Sequence, residues 1–366
     1  MNIKLASGSR IEMTAADIAR VERLVRRVVD PADLELVLSN IGVQPDFSSI
    51  YTSNAGPHTA TVQVALKESH RVGSYEYMQR MRTLLRKEMP QLSVFFQSGG
   101  MVDAVLNQGM PAPIDVQLSG SNMEAVYQAA AGIASQIRQL PGVSDVYIPQ
   151  DIDYPSLRLD IDRERAADLG LNQREVVNNV ITALTSNQMI APSFWVDPRS
   201  GNDYMLTVQY PEDKIRTVSD LRSIPLHGER IREATTLDAV TTVTPVNSPT
   251  EIDHYQIRRI IDIYVTPAGE DLGRLAAGIN GVLSGTKLPN GVKSTMRGMV
   301  ANMQASFTSF AQGLVLALVL LVFTLGAFYA QHRWLGRVWN LVLQGYHGPP
   351  GPAGDPRADK GLRQFL

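Results

Sequence analysis

Two stretches decide the fold: IDVQLSG at Ile114–Gly120 and IDIYVTP at Ile261–Pro267. The first leads into a helical stretch containing AAAGIASQI (Ala129–Ile137) and then LPGVSDVYI (Leu140–Ile148). The second leads into LAAGINGVL (Leu275–Leu283) and then LPNGVKSTMRG (Leu288–Gly298). Strand, helix and strand match in order and length, the mark of an internal repeat. Two βαβ halves in one sheet make a ferredoxin-like α/β sandwich. The copies lie more than 100 residues apart, so this domain is expected to be split by an insertion between about 153 and 250.

Upstream, a second sandwich is expected within residues 1–98. IKLASGSRIE alternates as a strand. Thr14 is placed to cap a helix with Asp17 at its third position. Ile18, Val21, Leu24, Val25 and Val28 recur at helical spacing, and Asp30-Pro31 ends the run. LELVLSNIGV and TATVQVALKE read as strands on either side of the loop QPDFSSIYTSNAGPH. Ser74 opens a second helix with Met78, Met81, Leu84 and Leu85 inward, Pro90 ends it, and QLSVFFQSG closes the order β-α-β-β-α-β.

The insertion carries its own signals. LRLDID alternates as a strand, Asp162 is placed to cap a short helix ending at Gly170, and Asn172 with Glu175 forms a capping-box pattern before VVNNVITAL. FWVDPRSGNDYMLTVQY reads as two strands around a turn. TVSDLRSIPL and ATTLDAVTTVTP complete a small α+β subdomain.

Near the end, GLVLALVLLVFTLGAFYA (Gly313–Ala330) holds 18 consecutive residues without a charge, eleven of them Leu, Val or Phe. At 1.5 Å per residue it rises about 27 Å, close to the roughly 30 Å hydrocarbon core. Insertion is favoured by about 3 to 7 kcal/mol from those residues alone. Residues 331–366 carry a net charge of +3 and the rest of the chain −5. Positive flanks stay in the cytoplasm, so the tail is expected inside and residues 1–312 outside. The opening MNIKLASGSRIEMTAADIAR has no apolar core of a signal peptide, so the segment that exports those residues is expected upstream.

Several chemistries are excluded. The chain has no cysteine, which removes disulfides, thiolate metal sites and Cys nucleophiles. Its six histidines have no i, i+4 pair for a metal. A net charge of −2 argues against a nucleic-acid surface. No nucleophile set, phosphate-cradling loop or dinucleotide fingerprint appears, so no catalytic residue, cofactor or metal is expected. Asp160 and Asp162 share a strand face, as an acid/base pair could. Arg158 shares that face too, and Asp162 serves as a cap, so a solvated structural role is expected. Arg23, Arg26 and Arg27 read as the wet face of an amphipathic helix. GPPGPAG has too few triplets for a collagen helix.

Taken together, SGSRIE, LVLSNIGV, PAPIDVQLSG, LRLDIDRERAADLGLNQREVVNN, SFWVDPRSGNDYML, HYQIRRIIDIYV and MRGMVANMQASF resemble the C-terminal periplasmic half of a resistance–nodulation–division (RND) inner-membrane efflux pump of the acriflavine-resistance type. The likeness covers about residues 2 to 326. It implies an α+β chain in which 1–112 are the first C-terminal porter subdomain and 113–152 with 253–298 the second. Residues 153–252 would be the inserted docking subdomain, 299–312 a connector and 313–330 the eighth transmembrane helix; residues 331–366 depart from the family and are expected to be a basic, disordered tail. It further implies a proton-driven multidrug transporter, working as a homotrimer with a periplasmic adaptor and an outer-membrane channel in the inner membrane. Small amphiphilic drugs would be its cargo and the lipid bilayer its surroundings.

In that family the loop after the second strand gates a drug pocket. Here it carries Phe47, Ile50 and Tyr51, apolar groups suited to amphiphiles of many shapes. Phe95 and Phe96 occupy adjacent strand positions and face opposite sides. One is expected in the core, and Phe96 is the candidate substrate contact. Phe194, Trp195 and Arg199 flank the docking turn, where they could meet a neighbouring subunit or stabilise the hairpin. The departures matter as well. A full pump has twelve spans and a buried carboxylate–lysine proton relay, whereas Gly313–Ala330 has no Asp, Glu, Lys, Arg or His. After Leu325 the family's usual lead into a ninth helix is replaced. The chain is therefore expected to be a fragment that does not transport alone. The rival readings are a single-span periplasmic binding or assembly module and a truncated product without function.

Overall fold

The computed structural model describes residues 1–42, 54–107, 109–188, 190–211, 213–230, 235–269 and 271–346. They divide into two units, Met1–Ala301 and Asn302–Leu366.

The first unit begins with β1 (Asn2–Lys4), α1 (Ile11–Val28), β2 (Leu34–Ile41), β3 (Thr59–Leu66), α2 (Ser74–Glu88) and β4 (Ser93–Phe95). The four strands pair antiparallel in the order β2-β3-β1-β4. This is the ferredoxin-like order, in which each βαβ half skips one strand. Ile18, Val21 and Val25 on α1 and Tyr77, Met81 and Leu85 on α2 are buried against Ile3, Ala60 and Val62 of the sheet. Each large apolar side chain contributes about 1.5–3 kcal/mol by leaving water. Arg23, Arg26 and Arg27 lie on the exposed face.

The start of α1 differs from the sequence expectation. The helix opens at Ile11 after Arg10, and Thr14 is not its cap. Thr14 is fully buried, and its hydroxyl donates to the Pro57 carbonyl at 2.7 Å. A capping residue must keep extended backbone at the helix mouth. Thr14 instead serves a long-range contact one turn inside, and Asp17 pairs with Arg20.

After α3 (Met101–Leu106), the chain forms β5 (Ile114–Ser119), α4 (Met123–Ile137) and β6 (Val143–Tyr147). The insertion follows: β7 (Tyr154–Ile161), α5 (Arg163–Asp168), α6 (Gln173–Leu184), β8 (Ser193–Val196), β9 (Asp203–Leu206), α7 (Val218–Arg222), β10 (Pro225–Leu226), β11 (Thr235–Thr236) and β12 (Thr241–Ser248). The chain then returns through β13 (Asp253–Tyr255), β14 (Arg258–Pro267), α8 (Leu272–Gly285) and β15 (Lys293–Arg297). Strands from both repeat copies make one antiparallel sheet: β14 pairs with β5 and β6, and β15 pairs with β5. The resulting order β6-β14-β5-β15 repeats that of the first sheet. Ile114, Val116 and Leu118 with Ile261, Ile263 and Val265 point to one face and are buried, as are Val126, Ala130 and Ile133 of α4.

The first and last strands of the insertion, β7 and β12, pair over their full length. Its core gathers Leu171, Val176, Val180, Leu221, Ile224 and Leu237. Asp162 accepts from the Glu164 and Arg165 backbone amides at the mouth of α5. Gly170 ends that turn at φ +81°, where a Cβ would come 2.6 Å from the Arg230 carbonyl oxygen. Asn172 and Glu175 complete the expected capping box.

The last helix, α9 (Met299–Tyr346), is continuous over 48 residues, and Asn302 onward belongs to the second unit. Met299–Leu343 is long and apolar enough to cross a membrane. The apolar residues between Leu314 and Leu325 are exposed all round, as lipid-facing residues are. The helix also takes in residues 331–346, where the sequence reading expected an irregular tail. No proline interrupts the chain from Met299 to Tyr346.

Candidate functional site

The first and second sheets meet along their edge strands β4 and β6. At the end of β4, Phe95 turns to one side and Phe96, the next residue, to the other. Phe95 is fully buried in a cluster with Ala112, Tyr147 and Tyr264. Its ring lies 5.4 Å from that of Tyr147 and 5.8 Å from that of Tyr264. Phe96 turns into the core of the first sandwich and is only 4% exposed, with the Arg82 guanidinium 4.6 Å above its ring. Arg82 in turn donates to Asp145 on β6 at 2.8 Å, so one arginine links the two sheets.

A second link is fully polar. The segment after β6 brings Asp151 against the first sheet. Lys4 Nζ donates to Asp151 Oδ1 at 2.8 Å and to the Ile148 carbonyl at 2.9 Å. His58 Nε2 lies 2.8 Å from Asp151 Oδ2, and Asn54 Nδ2 donates to the same oxygen at 3.0 Å. The Asn54 amide N–H donates to Glu251 at 2.8 Å. Burial alone would raise the Asp151 carboxyl, but the partners outweigh it: His58, Lys4 and Asn54 hold it down to about 2.

Two clefts stand out, one at this junction and one on the first sandwich. One of about 270 Å³ is lined by Asn2, Asn40, Gln63, Tyr147, Pro149 and Tyr264. The other, about 520 Å³, lies beside the first sandwich and is lined by Val25, Val62, Tyr77, Met78, Met81 and Phe96 among others. Its apolar walls can accept a hydrophobic body, and its rim offers Gln63, Gln97 and Ser98 as hydrogen-bonding groups.

Of the candidate residues, Phe47, Ile50 and Tyr51 lie outside the described residues. Phe96 backs the larger cleft from within the core rather than standing open in it. Phe194 and Trp195 lie together on β8, each 55% exposed, with Trp195 5.9 Å from Tyr204 on β9. Val196, Met205 and Leu206 extend this exposed apolar hairpin. Arg199 sits exposed at its turn, where its amide N–H donates to Asp197. The hairpin is far from the sheet junction in sequence, and both candidate groups belong to different elements. Asp160 pairs with Arg158 at 2.9 Å on an exposed strand, and Asp162 caps α5, as expected for a structural pair. Among the described residues, no group of three or more His, Cys, Asp or Glu is arranged to hold a metal ion.

Sequence reasoning did not single out Lys4, His58, Tyr147, Asp151 or Tyr264. A signal was present for Tyr264: polar Asp262 and Tyr264 alternate with isoleucine and valine in a strand otherwise fit for full burial.

Residues 1–334 match the AcrB/AcrD/AcrF family, and the chain belongs to that family of RND efflux transporters. It is 27% identical over 225 residues to the cobalt-zinc-cadmium resistance protein CzcA of Cupriavidus metallidurans, covering 60% of this chain and 21% of that protein. It is 22% identical over 337 residues to the nickel and cobalt resistance protein CnrA of the same organism, covering 89% and 30%. A crystal structure of a heavy metal efflux pump superposes with a TM-score of 0.67 at 21% identity, covering 87% of this chain and 32% of that one. The fold is therefore that of an RND pump, and the chain spans about a fifth to a third of the length of these relatives.

Proposed function

We propose that residues 1–301 are the porter and docking portion of a proton-driven RND exporter, and that Gly313–Ala330 anchors it in the inner membrane with its bulk in the periplasm. One observation carries this reading: two sandwiches of identical strand order are tied edge to edge, and an apolar helix follows the last strand. Gly313–Ala330 has no Asp, Glu, Lys, Arg or His, so in this reading proton flux runs through helices other than this one. The insertion docks an outer-membrane channel and neighbouring protomers in a homotrimer, with the β8–β9 hairpin as the contact. A periplasmic adaptor completes the assembly.

The cargo proposed is a small amphiphile, taken up beside the first sandwich. Support comes from the walls of the larger cleft, where Tyr77, Met78, Met81 and Phe96 supply apolar area and soft packing. A second reading, export of a divalent cation, is favoured by what CzcA and CnrA are named for. Binding to the full chain in detergent separates the two. Fluorescent amphiphiles should bind with an affinity that falls several-fold in Met81→Ala. Saturable zinc or cobalt binding, with no amphiphile binding, would overturn the cargo assignment.

A further inference from the structure

The cargo reading leaves unused a closed run of acids and amides on the polar face of the second sheet. Alternation in β5 and β14 sends Asp115, Gln117, Asp262 and Tyr264 to the face opposite α4 and α8. Gln117 Nε2 donates to Asp115 Oδ2 at 2.8 Å and to Asp262 Oδ1 at 2.9 Å. Gln150 Nε2 donates to Asp262 Oδ2 and to Asp253 Oδ2, both at 2.6 Å. The Asp262 amide N–H donates back to Gln150 Oε1 at 3.1 Å. Asp115 is 0% exposed and Asp262 4%. Asp115 Oδ1 and Gln117 Oε1 are buried without a hydrogen-bond partner.

One amide nitrogen reaches both carboxylates, so the two acids lie side by side out of water. Two buried like charges at that separation cannot both stay ionised. The unpartnered Asp115 Oδ1 receives no donor, and a buried carboxylate anion without a donor costs far more than the neutral acid, so this is where the proton is placed. The surrounding charges do not cancel the pair. Arg297 on β15 stacks 4.0 Å over the Tyr255 ring, and its charge draws Asp115 down. Asp253 on β13 adds a third negative charge, and Tyr264 and Glu251 also face this region. The charged groups Glu124 on α4 and Arg274 on α8 are exposed.

We propose that Asp115 and Asp262 share a single proton, and that this proton controls how firmly the 148–151 segment ties the second sheet to the first. Gln150 and Asp151 are adjacent: Gln150 binds Asp262 and Asp253, while Asp151 binds Lys4, His58 and Asn54. With the proton on Asp115, the two acids carry one charge and Gln150 bridges two carboxylates. When the O–H gives its proton to solvent, three carboxylates face one another behind Gln150, and the segment loosens. Burial, then the Asp262 charge, pushes the Asp115 carboxyl up to about 8, and burial pushes Asp262 up as well. The proton is therefore held below that range and lost as pH rises through it. The link of this latch to a pump cycle rests on the exporter reading; the proton site itself does not.

The test uses the full chain in detergent with isotope-labelled aspartate, followed by infrared titration and by hydrogen exchange of residues 148–151. A protonated-carboxyl band is expected at about pH 6 and its loss by about pH 9, with opening of the segment faster by about tenfold per pH unit below about pH 8 and levelling off above it, after correction for intrinsic exchange. Asp115→Asn should lack the band and flatten the exchange profile. An absent band in the wild-type chain at about pH 6 overturns the proposal, even if Asp115→Asn fails to fold. So does an unchanged exchange profile in a folded Asp115→Asn chain. A band erased by calcium at constant pH, with exchange slowed, also overturns it and assigns the cluster to a cation. Transport is not measured, so failure here is distinct from failure of the exporter reading.

Discussion

Asp151→Asn should loosen the junction between the two sheets more than any surface change. Asp151 is 6% exposed and takes hydrogen bonds from Lys4, His58 and Asn54 at 2.8–3.0 Å. Its carboxyl falls from the ordinary 3.8 to about 2. That difference corresponds to about 2 kcal/mol favouring the ionised, folded form. Because the folded value is depressed, this stability is present above the ordinary carboxylate range and is lost as pH falls towards about 2. Asparagine keeps one acceptor oxygen, but it leaves the buried Lys4 ammonium without its counter-charge. The loss at neutral pH should therefore be roughly 2–3 kcal/mol, a fall of about 4–6 °C in the unfolding midpoint for a unit of this size. Calorimetry of the full chain in detergent measures it. In the doubly substituted Lys4→Met, Asp151→Leu chain, the loss should be smaller than the sum of the two single losses by about 1 kcal/mol or more. A shift below about 1 °C for Asp151→Asn, or strict additivity in the double variant, would refute the reasoning.

Other substitutions test separate parts of the account. Gly298→Ala places a Cβ 2.6 Å from the Pro113 carbonyl oxygen at φ +91°; it should cost roughly 2–4 kcal/mol by denaturant unfolding, because the opposing atom is backbone. Asn172→Ala removes the capping-box acceptor of α6 and should cost about 1 kcal/mol by the same measurement. Phe194→Ala with Trp195→Ala changes exposed side chains, so unfolding should move by less than about 0.5 kcal/mol, while self-association measured by sedimentation weakens. Val319→Arg puts a charge in mid-span and should oppose membrane insertion by about 3 kcal/mol, read as a loss of the membrane-integrated fraction.

The second sheet was legible because its repeat is carried by buried strands. IDVQLSG and IDIYVTP must fill one face with Ile, Val and Leu, and that demand constrains sequence strongly. Local caps were legible for the same reason: Asp162, Gly170 and Asn172 act within a few residues of themselves. Thr14 misled because a cap-forming residue and a buried hydrogen-bonding residue look alike until Pro57 arrives from 43 residues away. The helix beyond Ala330 was missed because charge was given more weight than the lack of a breaker. The junction between the sheets was the least legible part. Lys4, His58 and Asp151 are ordinary polar residues in sequence, and only the edge-to-edge approach of β4 and β6 removes them from water. Phe95 and Phe96 show the intermediate case, since alternation gives opposite faces but not that both faces are buried.

The central claim is tested most directly by transport. Residues 1–334 would replace the matching segment of an AcrB-type pump in a strain lacking its own exporters, and accumulation of an amphiphilic dye would be followed with and without a proton uncoupler. The account predicts dye export that stops on uncoupling and weakens in Met81→Ala. A chimera that assembles in the membrane at normal level, yet leaves dye accumulation unchanged and instead lowers cellular zinc or cobalt, would contradict it.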